Sequence, residues 1–235
     1  MTSEAQRLAT IAAHSRYAEG LNGATVAYSI RVFARHWRPG SCLELGPAEG
    51  LATSLLVAQF ADLTCVDGAE PFCAALAERH PHIRVTRSLI EEYAPDRTFD
   101  NVVMGHVLEH VGDPVAVLAR VGSWLAPNGR IFASVPNARS LHRQLGVEMN
   151  LLVTEHSLND LDRHHGHRRV YDPESLRRDF RAAGLRVEIS GGYWLKPAAN
   201  AHLEAHWTSD MIDAAMVVGE RYPDIAAEIY VVAGR

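Results

Sequence analysis

The sequence predicts an α/β fold: a mostly parallel sheet with helices on both faces, a helical cap ahead of it and an inserted lid after its fifth strand. Two observations carry that prediction. Between Ser41 and Val135, short apolar strands alternate with helical stretches five times, the pattern of a parallel sheet with crossover helices. The first strand, Ser41–Leu45, breaks at Gly46 and turns through Pro47-Ala48-Glu49 into an apolar helix at Gly50. A strand, a glycine turn and a helix N-terminus bring backbone N–H groups up to a ligand with no side chain in the way. In such sheets ligands lie beyond the carboxyl ends of the strands, where the strand order reverses.

In chain order, residues 4–37 read as helical. Thr25–Trp37 carries a helical apolar pattern through Val26, Ile30, Phe33 and Ala34, and Asn22-Gly23 separates it from an earlier helix around Glu4–Glu19. Pro39-Gly40 closes this cap, residues 1–38, and launches the first strand. A helix from Gly50 to Phe60 follows, then the strand Asp62–Asp67. Pro71–His80 is the next helix, with proline suited to its first turn. Ile83–Thr86 is a short strand and Phe99–Met104 another. Pro114–Leu125 is a helix stopped by Pro127-Asn128-Gly129, and Arg130–Val135 is the fifth strand. The alternation then stops over 138–166, a stretch long enough to carry function or small helices of its own. It resumes at Asp172-Pro173-Glu174-Ser175-Leu176, a helix N-terminus, and that helix ends at Ala183-Gly184. Leu185–Ser190 and Glu228–Ala233 form a late pair of strands at the sheet edge, with one helix over 201–220 between them.

With 235 residues, 47% of them hydrophobic, the chain can bury one sizeable core, so a single domain over 1–235 is expected. A formal charge of −5 argues against a nucleic-acid-binding surface. Cys42, Cys65 and Cys73 fit no zinc spacing, and an odd count makes a poor disulfide framework, so they read as core residues in a reducing compartment. Met1–Arg7 lacks the layout of a secretion signal, and no apolar run is long enough to span a bilayer. The expectation is a cytoplasmic protein with no membrane and no nucleic-acid partner.

Three features line up at strand ends: the Glu44…Gly46…Gly50 turn, Asp67-Gly68 after the second strand, and Arg87-Ser88-Leu89 after the third. A carboxylate at the end of the second strand can accept both hydroxyls of a ribose. A glycine turn beside it accommodates the rest of a nucleoside, and residues after the third strand can reach an adenine edge. The turn lacks the Gly-Lys-Ser/Thr of a phosphate loop. It has two of the three glycines of a dinucleotide turn, and Glu49 would repel a pyrophosphate. Acidic residues here suit a cofactor that bears a cation.

Leu43-Glu44-Leu45-Gly46-Pro47-Ala48-Glu49-Gly50 resembles the first motif of the class I S-adenosylmethionine-dependent methyltransferases, with Ala48 in place of the more usual middle glycine. Val66-Asp67 resembles the second motif. Phe99-Asp100 and His106–Pro114 resemble the segment after strand four in the small-molecule branch. Trp124–Arg130 resembles the turn before strand five, and Gly166–Leu176 the start of the late helix. The resemblance is close over 40–136 and looser over 166–190. It implies a Rossmann-like seven-stranded sheet, S-adenosyl-L-methionine as cofactor, and roles by position. Glu44 would organise the methionine ammonium end, and Gly46, with Gly50 in the same turn, would let the backbone approach. Asp67, followed by Gly68, would hold the ribose. Ser88 and Leu89 would meet adenine, Ser88 standing where the family often has aspartate. His106 and Val107 would end strand four beneath the sulfonium, and Tyr17 would cover the methionine half.

Methyl transfer from a sulfonium is an in-line displacement with a neutral leaving group. Positioning then carries much of the catalysis, and a base matters only for a protonated acceptor. Seven of the thirteen histidines lie between 106 and 167. His106 is the best-placed candidate base. His110, four residues on, could share a helical face with it, and is read as capping or packing beneath the sheet. His142, His167, Arg168 and Arg169 are the candidate acceptor-binding residues. The Arg163–Arg169 cluster is read either as a receptor for an anionic group or as a solvated loop paired with Asp160 and Asp162. His164, His165 and His167 lack a fixed helical spacing and an evident fourth ligand, so no metal is expected. The expected partner is a small-molecule acceptor, anionic if the arginines receive it, with a homodimer left open. Nucleic-acid amino-methyltransferases carry an Asn/Asp-Pro-Pro-Tyr-like tetrapeptide where this chain has Met104-Gly105-His106-Val107. A catalytically silent cofactor-binding module and a protein methyltransferase are the rival readings.

Overall fold

Seven strands form one sheet in the order β3-β2-β1-β4-β5-β7-β6. The computed structural model describes Arg7, Leu8, Ala12 and residues 20–235. The strands are β1 (Cys42–Leu45), β2 (Leu63–Asp67), β3 (Arg84–Arg87), β4 (Phe99–Gly105), β5 (Leu125–Pro136), β6 (Arg186–Tyr193) and β7 (Glu228–Gly234). The helices are α1 (Gly20–Ala34), α2 (Leu51–Leu56), α3 (Glu70–Arg79), α4 (Pro114–Ser123), α5 (Leu141–Glu148), α6 (Asp160–His165), α7 (Pro173–Ala182), α8 (Asn200–His206) and α9 (Ser209–Gly219). β1 to β5 pair in parallel, while β7 runs antiparallel to both β5 and β6. The Rossmann-like seven-stranded sheet is therefore as expected, with β7 inserted between β5 and the edge strand β6.

Burial on both faces explains why β1, β2 and β7 read as near-continuous apolar runs: every residue of the three is buried. One core lies between the sheet and α4 and α7, through Val117, Leu118, Val121, Leu176 and Phe180. The other lies against α1, α8 and α9, through Ile30, Phe33, Leu203, Ile212 and Met216. Helix starts follow local chemistry. Asp113 accepts from the Ala116 N–H ahead of Pro114, and Asp172 and Ser175 form a reciprocal capping box around Pro173. Among the described residues, no helix is long and apolar enough to cross a membrane.

Several boundaries differ from expectation. Asn22-Gly23 does not break a helix, because α1 runs through it with Gly23 buried and Thr25 Oγ1 bonded back to the Leu21 carbonyl at 2.8 Å. The single helix over 201–220 is two, since Thr208 caps α9 by accepting from the Met211 N–H. β5 starts at Leu125 rather than Arg130. Its Leu125 pairs with Phe99 and its Arg130 with Asn101, and the intervening turn, with Asn128 at φ 65°, is absorbed as a register shift. The 138–166 stretch holds α5 and α6.

The strand order reverses between β1 and β4, both of which lead away from the same seam. A cleft opens beyond their carboxyl ends, at the place this topology favours for ligands.

Candidate active site

The cleft is built around the turn after β1. Gly46 at φ 68°, Ala48 at φ 48° and Gly50 at φ 80° all take left-handed backbone, which accounts for the two glycines and makes Ala48 the strained member. A Cβ on Gly46 would sit 3.0 Å from Val107 Cγ2, so the turn and the segment after β4 approach as closely as glycine permits. Gly50 opens α2 and donates its N–H to the Pro47 carbonyl. Glu44 is buried beneath the turn, where its Oε2 accepts from Thr53 Oγ1 at 2.7 Å and from Cys65 Sγ at 3.4 Å. Burial outweighs those two bonds and pushes its carboxyl up to about 7.

Asp67 ends β2 at the side of the cleft. Its Oδ1 accepts from the Ala69 N–H at 2.8 Å and its Oδ2 from the Ala48 N–H at 3.2 Å. A carboxylate has about four acceptor positions, so two stay available for a pair of vicinal hydroxyls. Burial raises its pKa against the help of those N–H groups. Gly68 keeps the passage open, since a Cβ there would lie 3.0 Å from Leu89 Cδ2 and closer still to Leu8. Leu89 lines the cleft and continues into Ile90 and Glu91. Ser88 turns its hydroxyl to the Leu89 carbonyl at 2.9 Å and is not a lining residue, so the adenine role expected for it passes to Leu89 and its successors. Arg7, Leu8 and Phe72 also line the cleft, and no local motif marked them. Tyr17 lies outside the described residues.

The cleft encloses about 1320 Å³ of space, counted out to the solvent at its mouth. The glycine turn, the two free acceptor positions on Asp67 and the apolar Leu89 wall match the ribose and adenine of S-adenosylmethionine, and the Glu44 carboxyl below the turn matches its cationic end.

At the far end of the cleft stands His106, immediately after β4. It is a non-glycine residue at φ 55°, held there by its own N–H to the Ser134 carbonyl at 2.9 Å. Its Nδ1 lies 3.3 Å from Glu109 Oε1 and its Nε2 lies 3.6 Å from Glu228 Oε2. Burial favours the neutral ring, but the Glu228 charge and the Glu109 contact outweigh it and hold the ring up to about 9. Burial opposes ionisation of Glu109 as well, yet His106, His110 and His167 hold it down to about 2. Burial pushes Glu228 up to about 7 against the attraction of His106. Of the two carboxylates, Glu109 carries the firmer charge. Neither was expected. Glu109 stood in view inside the His106–Pro114 motif, whereas Glu228 comes from the last strand and has no local signal.

His106 and His110 do not share a helix, because the chain turns sharply and His110 donates its backbone N–H to the Val107 carbonyl at 3.0 Å. His110 lines the cleft rather than packing beneath the sheet, and burial pushes its ring down to about 4. Its ring stands 4.8 Å from that of His167, nearly perpendicular. His167 in turn has Nδ1 3.2 Å from Asp162 Oδ1.

The arginines expected to receive an acceptor are used differently. Arg169 donates to the carbonyls of Leu108, Val111 and Gly112, at 2.8, 2.5 and 3.0 Å. Arg168 donates Nε to the His110 carbonyl at 2.7 Å and its backbone N–H to the Glu109 carbonyl at 2.8 Å. They clamp the segment after β4, and neither lines the cleft. His142 does not line the cleft either. It sits on α5, where burial, with Lys196 and Arg143 nearby, pushes it down to about 3.

Comparison with known proteins agrees with this geometry. The methyltransferase-domain family matches residues 17–189. The ubiquinone biosynthesis O-methyltransferase of Aeromonas salmonicida is 30% identical over 168 residues, covering 67% of this chain and 68% of that one. A solved S-adenosylmethionine-dependent methyltransferase of Thermotoga maritima has a TM-score of 0.64 at 16% identity, covering 89% of this chain and 88% of its own. The Bradyrhizobium japonicum N-methyltransferase NodS, solved with S-adenosylhomocysteine, has a TM-score of 0.61 at 13% identity, covering 97% and 96%. These two structures show the fold. The family match spans well over half of the chain and the Aeromonas relative two thirds of it, so this chain belongs to the methyltransferase-domain family and is an enzyme that uses S-adenosylmethionine.

Proposed function

We propose that the enzyme methylates the oxygen of a hydroxyl-bearing small molecule, with His106 receiving the hydroxyl proton. The observation that carries this reading is the His106 ring, placed at the end of β4 on the cleft wall between two buried carboxylates. The O-methyltransferase activity in the name of the Aeromonas relative supports oxygen as the acceptor atom. The bound cofactor supplies an electrophilic methyl group on a sulfonium. Asp67 and the Gly46–Gly50 turn fix the nucleoside and methionine portions. Val107, 5% exposed and against Gly46, closes the apolar side. His106 Nε2 is buried without a hydrogen-bond partner, which makes it the atom that can meet an acceptor hydroxyl. With the ring held up to about 9, the neutral form that can act as base grows as pH rises toward that value; in that form, as the C–O bond forms and the C–S bond breaks, the hydroxyl proton passes to Nε2. Glu228 and Glu109 then stabilise the imidazolium, as an orienting carboxylate does for a catalytic histidine.

The test is release of S-adenosylhomocysteine from S-adenosylmethionine over a panel of hydroxylated and aminated small molecules. The reading expects turnover on hydroxyl acceptors, and a His106→Ala variant that binds cofactor normally but turns over about 10²–10⁴-fold more slowly. Turnover confined to amines, or an undiminished rate in His106→Ala, overturns it.

A further inference from the structure

We propose that Glu109, His110 and His167 hold a divalent transition-metal ion of the zinc class, with its open coordination position facing the acceptor end of the cleft. Their potential ligand atoms all lie within 4.8 Å of one another. Ligand atoms around a tetrahedral zinc-class ion are about 3.3 Å apart, given bonds of about 2.0–2.1 Å. Side-chain rotations that move each atom by about 1 Å close the set onto an ion.

Three further observations point the same way. Glu109 is completely buried and neither carboxylate oxygen has a hydrogen-bond partner. The His106 ring approaches Oε1 without the alignment of a hydrogen bond, and Oε2 has nothing. A buried carboxylate with no hydrogen bond has acceptor capacity that the nearby imidazoles leave unused, and a coordinated cation takes it up. Next, each histidine has one ring nitrogen close to an acceptor. His167 has Nδ1 against Asp162, and Asp162 is itself fixed by Arg143 at 3.1 Å and by the Asn159 N–H at 3.0 Å. His110 donates to the Gly166 carbonyl. Metal-ligating histidines carry such an outer contact, which sets the tautomer and ring orientation. Finally, the Arg168 and Arg169 clamps tie the Leu108–Gly112 backbone to the 166–169 segment, so the three candidate ligands are positioned before any ion arrives.

Two imidazoles and one carboxylate make a three-ligand set with one position left for water or substrate, the arrangement of catalytic rather than structural zinc sites. Of the three ligands only His110 lines the cleft, as His106 does, so the proposed ion borders the cleft there. An ion there polarises an acceptor hydroxyl. It favours acceptors with a second oxygen next to the first, such as a 1,2-diol on an aromatic ring or a hydroxyl beside a carbonyl, because both oxygens can bind it. The site rests on the side chains themselves and stands whether or not oxygen is the methylated atom.

The test uses the full-length protein, stripped with chelator and titrated with Co²⁺ in the absence of cofactor and acceptor. The expected result is one equivalent bound, with visible absorption bands of a nitrogen- and oxygen-ligated ion, displaced by Zn²⁺. Glu109→Gln and His167→Ala should lose the bands, Asp162→Asn should weaken binding by about 10–100-fold, and exposed His164→Ala should keep both bands and affinity. Addition of 1,2-dihydroxybenzene should shift the bands. Wild-type protein that takes up no stoichiometric Co²⁺ overturns the site. Undiminished binding in Glu109→Gln also overturns it, and bands indifferent to the diol overturn the open position. Methyl transfer is not part of the readout, so failure of the site and failure of the O-methylation reading are told apart.

Discussion

Replacing Glu44 by glutamine should make the free protein more stable at neutral and alkaline pH than at acidic pH, relative to wild type. Glu44 is buried under the glycine turn, and burial moves its carboxyl from the ordinary 4.5 to about 7. A group whose folded pKa lies above its unfolded one binds more protons in the folded state. Its stabilising contribution is complete below pH 4.5 and is lost as pH rises through about 7. Moving a carboxyl that far corresponds to about 3 kcal/mol, at about 1.4 kcal/mol for each pH unit. Glutamine cannot ionise, keeps the shape and can still accept from Thr53 Oγ1, so the variant escapes that loss. Chemical denaturation of both proteins without cofactor, from pH 4.5 to 8.5, isolates the effect, because other titrating groups cancel in the difference. The difference should grow by about 3 kcal/mol in favour of Glu44→Gln across that range and level off above pH 7. A difference that stays flat with pH refutes the reasoning. Saturating S-adenosylmethionine should shrink the gap, since a cationic methionine end above the turn favours the ionised glutamate.

Other expectations are as direct. Asp67→Ala should weaken cofactor binding by about 100-fold in calorimetry, the value of two hydrogen bonds to a charged acceptor at the low end of their range. Gly46→Ala should destabilise the fold by about 1–2 kcal/mol from its left-handed backbone alone. It should also weaken cofactor binding through the approach to Val107, a double effect that denaturation and calorimetry separate. Arg169→Gln removes the donors to three carbonyls and should lower the melting temperature by about 4–8 °C, for a loss of about 2 kcal/mol. If Arg169 instead received an anionic acceptor, its loss would raise KM with the melting temperature unchanged.

The cofactor half of the molecule was legible because its chemistry is local. Glu44, Gly46 and Asp67 sit at or just beyond strand ends that their own neighbours specify, and the structure places them on one cleft, with Gly50 behind them as the N-cap of α2. What could not be read depends on distant partners. Asn22-Gly23 carries a turn signal, but burial of one face of α1 overrides it. Ser88 is polar and well placed in sequence, yet its hydroxyl finds the next carbonyl rather than the cleft. Arg168 and Arg169 lie in a charge run that reads as either a ligand site or a solvated loop. Their actual partners are backbone carbonyls about sixty positions earlier, which side-chain composition does not encode. Glu228 reaches His106 only because β7 inserts next to β5, a consequence of strand order rather than of any motif.

The same long-range ties bear on how the acceptor is recognised. The 138–166 segment, expected as a lid, is anchored from within. Arg143 of α5 is buried, donates to the Glu155 carbonyl at 2.8 Å and to Asp162 at 3.1 Å, and also bonds the Ser157 carbonyl. Pulling Arg143 away strips Asp162 of its arginine partner and leaves it to the Asn159 N–H and His167 alone, which is costly for a buried carboxylate. The segment is thus tied internally through Arg143. Through Asp162 the segment reaches His167, whose ring packs on that of His110, and Glu109 beside it contacts His106. On the proposed reading, cofactor binding rests on the strand ends of the first half, whereas the surroundings of His106 draw on both the segment after β4, through Glu109, and the late strand β7, through Glu228. Substitutions in the 138–166 segment should therefore change which acceptor is used long before they change cofactor affinity.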